Sequence, residues 1–471
     1  MPNKTKKNVS KFKKIYSKKK YLKTNKEVNG GNPYFAKQTG GKVLASGGYG
    51  CIFKPALKCI NQERVDGQIS KLMTSKHAKS EYNEIMRFKH LLQKIPNYTN
   101  YFLVDKISIC KPDKLTNEDL QNYTEKCKAL KKDNISENNI NSSLDQVLSL
   151  NMPYGGIDVS DYIKKHTDYD SFYKLNKALS NLLVKGIVPM NKLNVFHGDI
   201  KESNILVDDL FNTRLIDWGL STIYKSGIPK GMYRRPFQYN VPFSVILFNN
   251  DFLKSYAEFL HKYSNNNSLP SYFEIREFVV NYIYSWNEIR GPGHIKLLNE
   301  INTQLASKFL PLLDSDTKAN FIEFSFTYYY IIEYLTKIIQ KYTHNGKINL
   351  TDYFKNIYLK NADIWGFVMV YSSILEEMYN RFDQLSGKEL LVYEKLKYLI
   401  VHFLFEDPLI PINISELYKE LQNLGQILKA SKETSLFTYN SLLSKRKTHS
   451  NTKGKGLLDS VKIENEITNH N

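Results

Sequence analysis

No apolar run in this chain is both long enough and free enough of charge to cross a bilayer. Residues 321–339 come nearest, and Glu323, Glu333 and Lys337 interrupt them, so the stretch reads as a buried helix. The N-terminus lacks the apolar core that a secretory signal needs. Cysteine is scarce: four in 471 residues (Cys51, Cys59, Cys110, Cys127), with no CxxC pair and no His-rich spacing for zinc. That scarcity predicts free thiols in a reducing intracellular compartment, with Cys51 a small buried apolar residue. Repeats of fixed period are also missing, which excludes a solenoid. Acid is absent from residues 4–26, where eleven Lys stand without one Asp or Glu, more than half of the net +19. Such an arm predicts contact with polyanions; a solvated tail is the plainer alternative.

The length exceeds what one core usually fills, so two lobes are expected. Residues 1–38 form the basic arm. Residues 39–153 are strand-rich, with apolar runs at 43–44, 52–53, 69–73, 102–109 and 147–152. One helix over 80–95 carries Ile85, Phe88, Leu91, Leu92 and Ile95 on a 3.6-residue period. Residues 111–143 are Lys/Asn/Glu-rich with little apolar pattern and predict a surface loop with at most one short helix. Residues 154–440 turn helical, with amphipathic segments over 240–360 and a strongly apolar run at 364–378. Residues 441–471, which include the basic run 445–447, are polar.

The chemistry-bearing residues sit where strands give way to helices. His197-Gly198-Asp199-Ile200-Lys201-Glu202-Ser203-Asn204 precedes the strand-like Ile205-Leu206-Val207, and Asp217-Trp218-Gly219 follows. This set suits phosphoryl transfer. One carboxylate can take a hydroxyl proton, an ammonium can neutralise phosphate charge, and Asn204 with Asp217 can hold magnesium. Upstream, Gly47, Gly48 and Gly50 form a Gly-rich turn ending at Cys51-Ile52, of the kind that lets a backbone approach phosphates. Lys71, on an apolar strand, needs a counter-ion; Glu84 on the next helix is the natural one, with Glu81 the competitor.

In this order the motifs resemble the eukaryotic-type protein kinase family. The resemblance covers about residues 41–240 and 355–430. It implies an α+β, bilobal protein-kinase-like fold: a small antiparallel-sheet N-lobe with one main helix, and a larger, mainly helical C-lobe with a helical insertion. It also implies ATP and Mg2+. Gly47, Gly48, Gly50, Ile52, Lys71, Glu84, Asn151, Met152 and Leu206 would line the nucleotide site, with Leu150 as gatekeeper and residues 151–154 facing adenine. Asp199 would be the base, Lys201 the catalytic-loop lysine, and Asn204 and Asp217 the metal ligands. Phe88 would belong to a regulatory stack, and Asp363 would anchor the catalytic loop. The stretch from Arg235 to Ser244 resembles kinases of large nucleocytoplasmic DNA viruses, mimivirus-like ones in particular, which implies a host cytoplasm or virion.

The departures bear on regulation. Gly198 stands where an Arg normally grips a phosphorylated loop, and Trp218 replaces the usual Phe. Phe237 stands where a Glu is expected at the end of the activation segment, and Lys230 where a Thr usually supports the catalytic Asp. More than a hundred residues separate Pro236 from Asp363. Three readings follow: a Ser/Thr protein kinase acting on protein hydroxyls, favoured by Lys201; a small-molecule phosphotransferase, favoured by His197-Gly198-Asp199; and a catalytically silent scaffold.

Overall fold

The computed structural model describes residues 41–263, 268–307, 314–385 and 387–430; the basic arm and the polar C-terminal end, with the basic run 445–447, lie outside these. Five antiparallel strands open the chain: β1 (Lys42–Ser46), β2 (Gly50–Lys54), β3 (Gln68–Thr74), β4 (Ser108–Cys110) and β5 (Val147–Pro153), in the order β1-β2-β3-β5-β4. Side-chain alternation gives the sheet two faces. Ile52, Lys71 and Leu150 are directly paired across neighbouring strands and share one face. Ser70 pairs with Asn151 and Leu72 with Ser149 on the other.

The helix α1 (Ser75–Leu92) follows β3 directly, five residues earlier than its periodicity indicates, and buries Ala78, Ile85, Phe88 and Leu92. The apolar run 102–109 is strand only at its end. Phe102 instead bridges to Leu215, and the Leu103 N–H donates to the Leu215 carbonyl at 3.1 Å. These contacts make the core of the sheet's inner face continuous with that of the helical part.

The sheet's outer face is covered too, which corrects the reading of residues 111–143 as a surface loop. Leu115, Tyr123, Cys127, Ala129, Leu130, Ile135 and Ile140 pack on Val43, Cys51, Phe53, Leu72 and Val147 as a second core. The segment is built of short helical pieces, so its apolar residues follow no single period. All four cysteines are paired, Cys51 with Cys127 and Cys59 with Cys110. Cys51 is buried as expected but is not a free thiol, and the pairs do not support the expected reducing compartment.

The rest is mostly helical, making the fold α+β: a small antiparallel sheet followed by a larger helical part. Short strands thread the junction: β6 (Ile157–Asp158), β7 (Val195–Phe196), β8 (Ile205–Val207), β9 (Thr213–Leu215) and β10 (Thr222–Ile223). They pair as β6-β8-β9 and β10-β7. The helix Leu359–Met369 is apolar on all sides and buried almost throughout. Residues 240–360 supply the expected amphipathic helices, among them Asn250–His261, Tyr272–Arg290 and Ile295–Leu305. The stretch 321–339 is only half as expected. Ile331, Leu335, Ile338 and Ile339 are buried, but Phe321, Phe324 and Tyr329 are exposed. No helix among the described residues is long and apolar enough to cross a membrane.

Replacing Cys51 and Cys127 together by Ser removes a bridge that spans 76 residues. Urea denaturation should register a loss of about 2–4 kcal/mol, and thiol titration of the unfolded, unreduced parent protein should find no free thiol, where free Cys51 and Cys127 would reject the pairing.

Candidate active site

The loop His197–Asn204 is held from below by one buried carboxylate. Asp363, fully buried on the helix Leu359–Met369, accepts from the His197 N–H at 2.9 Å, the Gly198 N–H at 2.7 Å and Asn191 Nδ2 at 2.7 Å. Gly198 has φ +72°, and a Cβ there would lie 2.9 Å from the Leu220 carbonyl oxygen and 3.2 Å from Arg235 Nη1. The space left by the missing side chain belongs to Arg235. Its Nη2 donates to the Gly198 carbonyl at 2.6 Å, and Gln238 Oε1 accepts from its Nε at 2.9 Å. A guanidinium thus grips this loop from the segment after it, with no phosphate involved.

The Asp199 carboxylate points into a shell of donors. Lys201 Nζ reaches Oδ2 at 2.9 Å, Asn204 Nδ2 reaches Oδ2 at 3.0 Å and the Asp199 carbonyl at 2.8 Å, and Asn240 Nδ2 reaches Oδ1 at 2.8 Å. Asn240 therefore takes the supporting place expected of position 230. Lys230 is exposed on a short 3-10 turn (Lys230–Arg234). The neighbouring Tyr239 donates its hydroxyl to Glu202, and its carbonyl accepts from Trp365 Nε1 at 2.8 Å. Burial, then Glu202, hold the Tyr239 hydroxyl well above the usual phenol range.

Trp218 is buried and joins the two halves of the core. It stacks on Phe88 of α1 at 5.3 Å, lies 5.9 Å from Phe102, and meets the His197 ring at 5.1 Å. Asp217, with φ +66°, is exposed, and its Oδ1 accepts only a long contact from the Gly219 N–H at 3.4 Å. Asn204 spends its Nδ2 on Asp199, which leaves its Oδ1 available. No group of three His, Cys, Asp or Glu suited to a metal occurs among the described residues. One carboxylate and one carboxamide oxygen nevertheless match magnesium, which is held through few protein oxygens plus substrate phosphates.

On the sheet side, Lys71 pairs with Glu81, both carboxylate oxygens lying 2.7 Å from Nζ. The expected partner Glu84 lies one turn further along α1, at 3.5 Å from Ser80 Oγ. Burial, then Glu81 and with less weight Asp217, push the Glu84 carboxyl above its ordinary range. Lys71 is thus paired with Glu81, and Glu84 lies within electrostatic reach of Glu81 and Asp217. The Gly-rich turn is closed by the Gly47 N–H on the Gly50 carbonyl at 2.8 Å. Gly50 lies against the Lys71 stem, Gly48 is open to solvent, and Tyr49 at the tip stacks on His77 at 4.5 Å.

Ile52 and Leu150 flank Lys71, and Met152 is half-buried on the same face. Leu206, on β8, packs beside Gly155. Asn151 departs from its expected role, because its side chain lies on the opposite face. There Oδ1 accepts from Ser70 and Ser149, and Nδ2 lies 3.2 Å from Cys59 Sγ. The side chain is therefore turned away from the face that carries Lys71. Neither a scan against protein-family models nor a search of curated proteins finds a match.

Gly198→Ala forces a side chain into the left-handed region and should lower unfolding free energy by about 1–2 kcal/mol, measured by urea titration. Glu84 offers a test of opposite sign. A carboxyl whose folded pKa is raised is held most comfortably when protonated, so its charge weakens the fold above that pKa. Glu84→Gln should therefore raise the thermal midpoint at pH 7, with the gain disappearing as pH falls below the ordinary carboxylate range. Glu81→Gln should lower the midpoint at pH 7.

Proposed function

We propose that this chain is an ATP- and magnesium-dependent phosphotransferase that moves the γ-phosphoryl group to Ser or Thr hydroxyls of proteins, on a bilobal protein-kinase-like scaffold. The observation that carries this reading is the Asp199 carboxylate, fixed by Lys201, Asn204 and Asn240 on a loop that Asp363 holds in place. Asp199 would accept the hydroxyl proton as the new O–P bond forms and the bond to the leaving diphosphate breaks. Lys201, already on the Asp199 carboxylate, would neutralise charge gathering on the transferred group. Lys71, steadied by Glu81, would hold the α- and β-phosphates beneath the Gly-rich turn. Asn204 Oδ1 and Asp217 would hold magnesium, which when bound supplies charge neutralisation at the phosphates.

The viral-kinase likeness of the stretch from Arg235 to Ser244 belongs to the same reading. Arg235 on the Gly198 carbonyl supports constitutive or partner-controlled activity, since the grip needs no phosphorylated residue. Polyanion contact through the basic arm is a further part of the proposal. A small-molecule acceptor is the second reading, favoured by one observation: residues 291–294 of the helical insertion reach the loop that supports Asp199.

An assay with ATP and magnesium against a panel of proteins and small hydroxyl compounds separates these readings. Asp199→Ala should reduce transfer by about 10²–10⁴-fold while ATP binding, followed by thermal shift, persists. Undiminished turnover in the purified variant rejects the assignment.

A further inference from the structure

Between Trp218 and Asn250 the chain has no Asp or Glu, although 24% of all its residues are charged. The cations of this stretch are Lys225, Lys230, Arg234 and Arg235. Arg235 is buried on the Gly198 carbonyl. Lys225, Lys230 and Arg234 are exposed, and among the described residues none of their side chains has an ion-pair or hydrogen-bond partner. The next acid along the chain, Asp251, is already paired with Arg290. An unpaired cationic surface is ordinarily left to water; the placement of this one sets it apart.

Both ends of the segment are fastened to the strand and loop that lead to Asp199. At the near end, Thr222 and Ile223 of β10 pair with Phe196 and Val195 of β7. Ser221 Oγ donates to the His197 carbonyl at 3.0 Å, and the Tyr224 N–H to the Asn194 carbonyl at 2.8 Å. At the far end, Arg235 Nη2 returns to the Gly198 carbonyl. Between these anchors Tyr224, Ile228 and Met232 are half-buried against the core, so the segment is a packed plate. A Cβ on Gly227 or Gly231 would meet nothing within 4 Å. Bare backbone thus separates Lys225 from Lys230 and Lys230 from Arg234, which lets another chain approach closely. The acids on the Asp199 side are engaged: Lys201 lies on the Asp199 carboxylate, and Glu202 accepts the Tyr239 hydroxyl. Asp217 is exposed, and the proposed chemistry gives it to magnesium. Three uncompensated positive charges therefore stand beside the loop whose carboxylate takes the hydroxyl proton.

We infer that this plate selects acceptors by charge: Lys225, Lys230 and Arg234 bind carboxylates flanking the target hydroxyl, so the substrates are Ser- or Thr-bearing protein segments rich in Asp or Glu. This rests on the phosphotransferase reading above and narrows its acceptor. A protein segment is favoured over nucleic acid because every aromatic ring between residues 218 and 250 is buried or half-buried, which leaves no exposed ring for bases to stack on.

The test uses the full chain with ATP, magnesium and three peptide pools, each with a central Ser or Thr and randomised neutral flanks supplemented with Glu, Gln or Lys. At low salt the parent should show a kcat/KM about tenfold higher for the Glu pool than for the Gln pool, about twofold for each exposed pair, with the Lys pool lowest. Added salt should shrink the preference. Lys225→Ala/Lys230→Ala/Arg234→Ala should bring the Glu and Gln pools level. Lys225→Glu/Lys230→Glu/Arg234→Glu should reverse the order in favour of the Lys pool, which a merely structural role would not do. If the parent treats the Glu and Gln pools alike, or both variants keep its preference, the inference falls alone; the parent's own preference decides this even where a variant fails to fold. If single-stranded DNA binds the parent and not the Ala variant while the peptide preference is unchanged, the plate is a nucleic-acid surface and the inference again falls. If the parent binds ATP and phosphorylates none of the pools, the protein acceptor is rejected and the inference with it. If it does not bind ATP either, the whole phosphotransferase reading falls.

Discussion

One buried carboxylate sets the frame for everything at the junction. Asp363 is removed from water on the helix Leu359–Met369, and an ionised group so placed must be compensated by hydrogen bonds. Two of its partners are backbone N–H groups of a loop 165 and 166 residues away in sequence. The helix comes close enough for this because Gly366 has no side chain: a Cβ there would lie 2.4 Å from the Ile200 carbonyl oxygen and 2.9 Å from that of Asn240. A loop of mixed polar residues is thereby docked onto a largely apolar, buried helix. From that seat Asp199, Lys201 and Asn204 take their positions, and Asn240 reaches Asp199 from a second segment held on the same helix through Trp365.

A column of rings carries the frame across to the sheet. Phe88 on α1 stacks on Trp218, Trp218 meets the His197 ring at a tilt, and His197 is bonded through its backbone to Asp363. The indole is larger than the ring usual at this place in the family the motifs resemble, and it still meets both neighbours. Placement of α1 is therefore coupled by direct packing to placement of the His197–Asn204 loop. The Lys71 pairing with Glu81 sits on the same helix, so its register along α1 and the height of the ring column are one constraint.

What the sequence made legible is what lies close together in it. Asp199, Lys201, Asn204 and Asp217 fall within twenty residues, and their side-chain types declare a common chemistry. Asp363 was readable only through the resemblance, as the acid that opens an apolar run. The choice between Glu81 and Glu84 was not: they are one helical turn apart, and only the rotation of α1 against β3 decides between them. Asn240 was hidden because it lies ten residues beyond Lys230, the place where support for Asp199 was sought. The cysteine pairs, 76 and 51 residues apart, leave no local signature, and the second core over 111–143 was masked by irregular spacing.

The covering of the outer sheet face has a mechanical meaning. Ser46, at the start of the Gly-rich turn, accepts from the Lys128 and Ala129 N–H groups, and Cys51 at its other end is joined to Cys127. Both hinges of the hairpin are therefore tied to the same short stretch of the 111–143 segment. A hairpin fastened at both hinges cannot lift as a free flap. Any opening above Lys71 has to move the hairpin and its outer plate as one stiff body, which shifts the site of flexibility from the glycines to the seam between the sheet and the helical part.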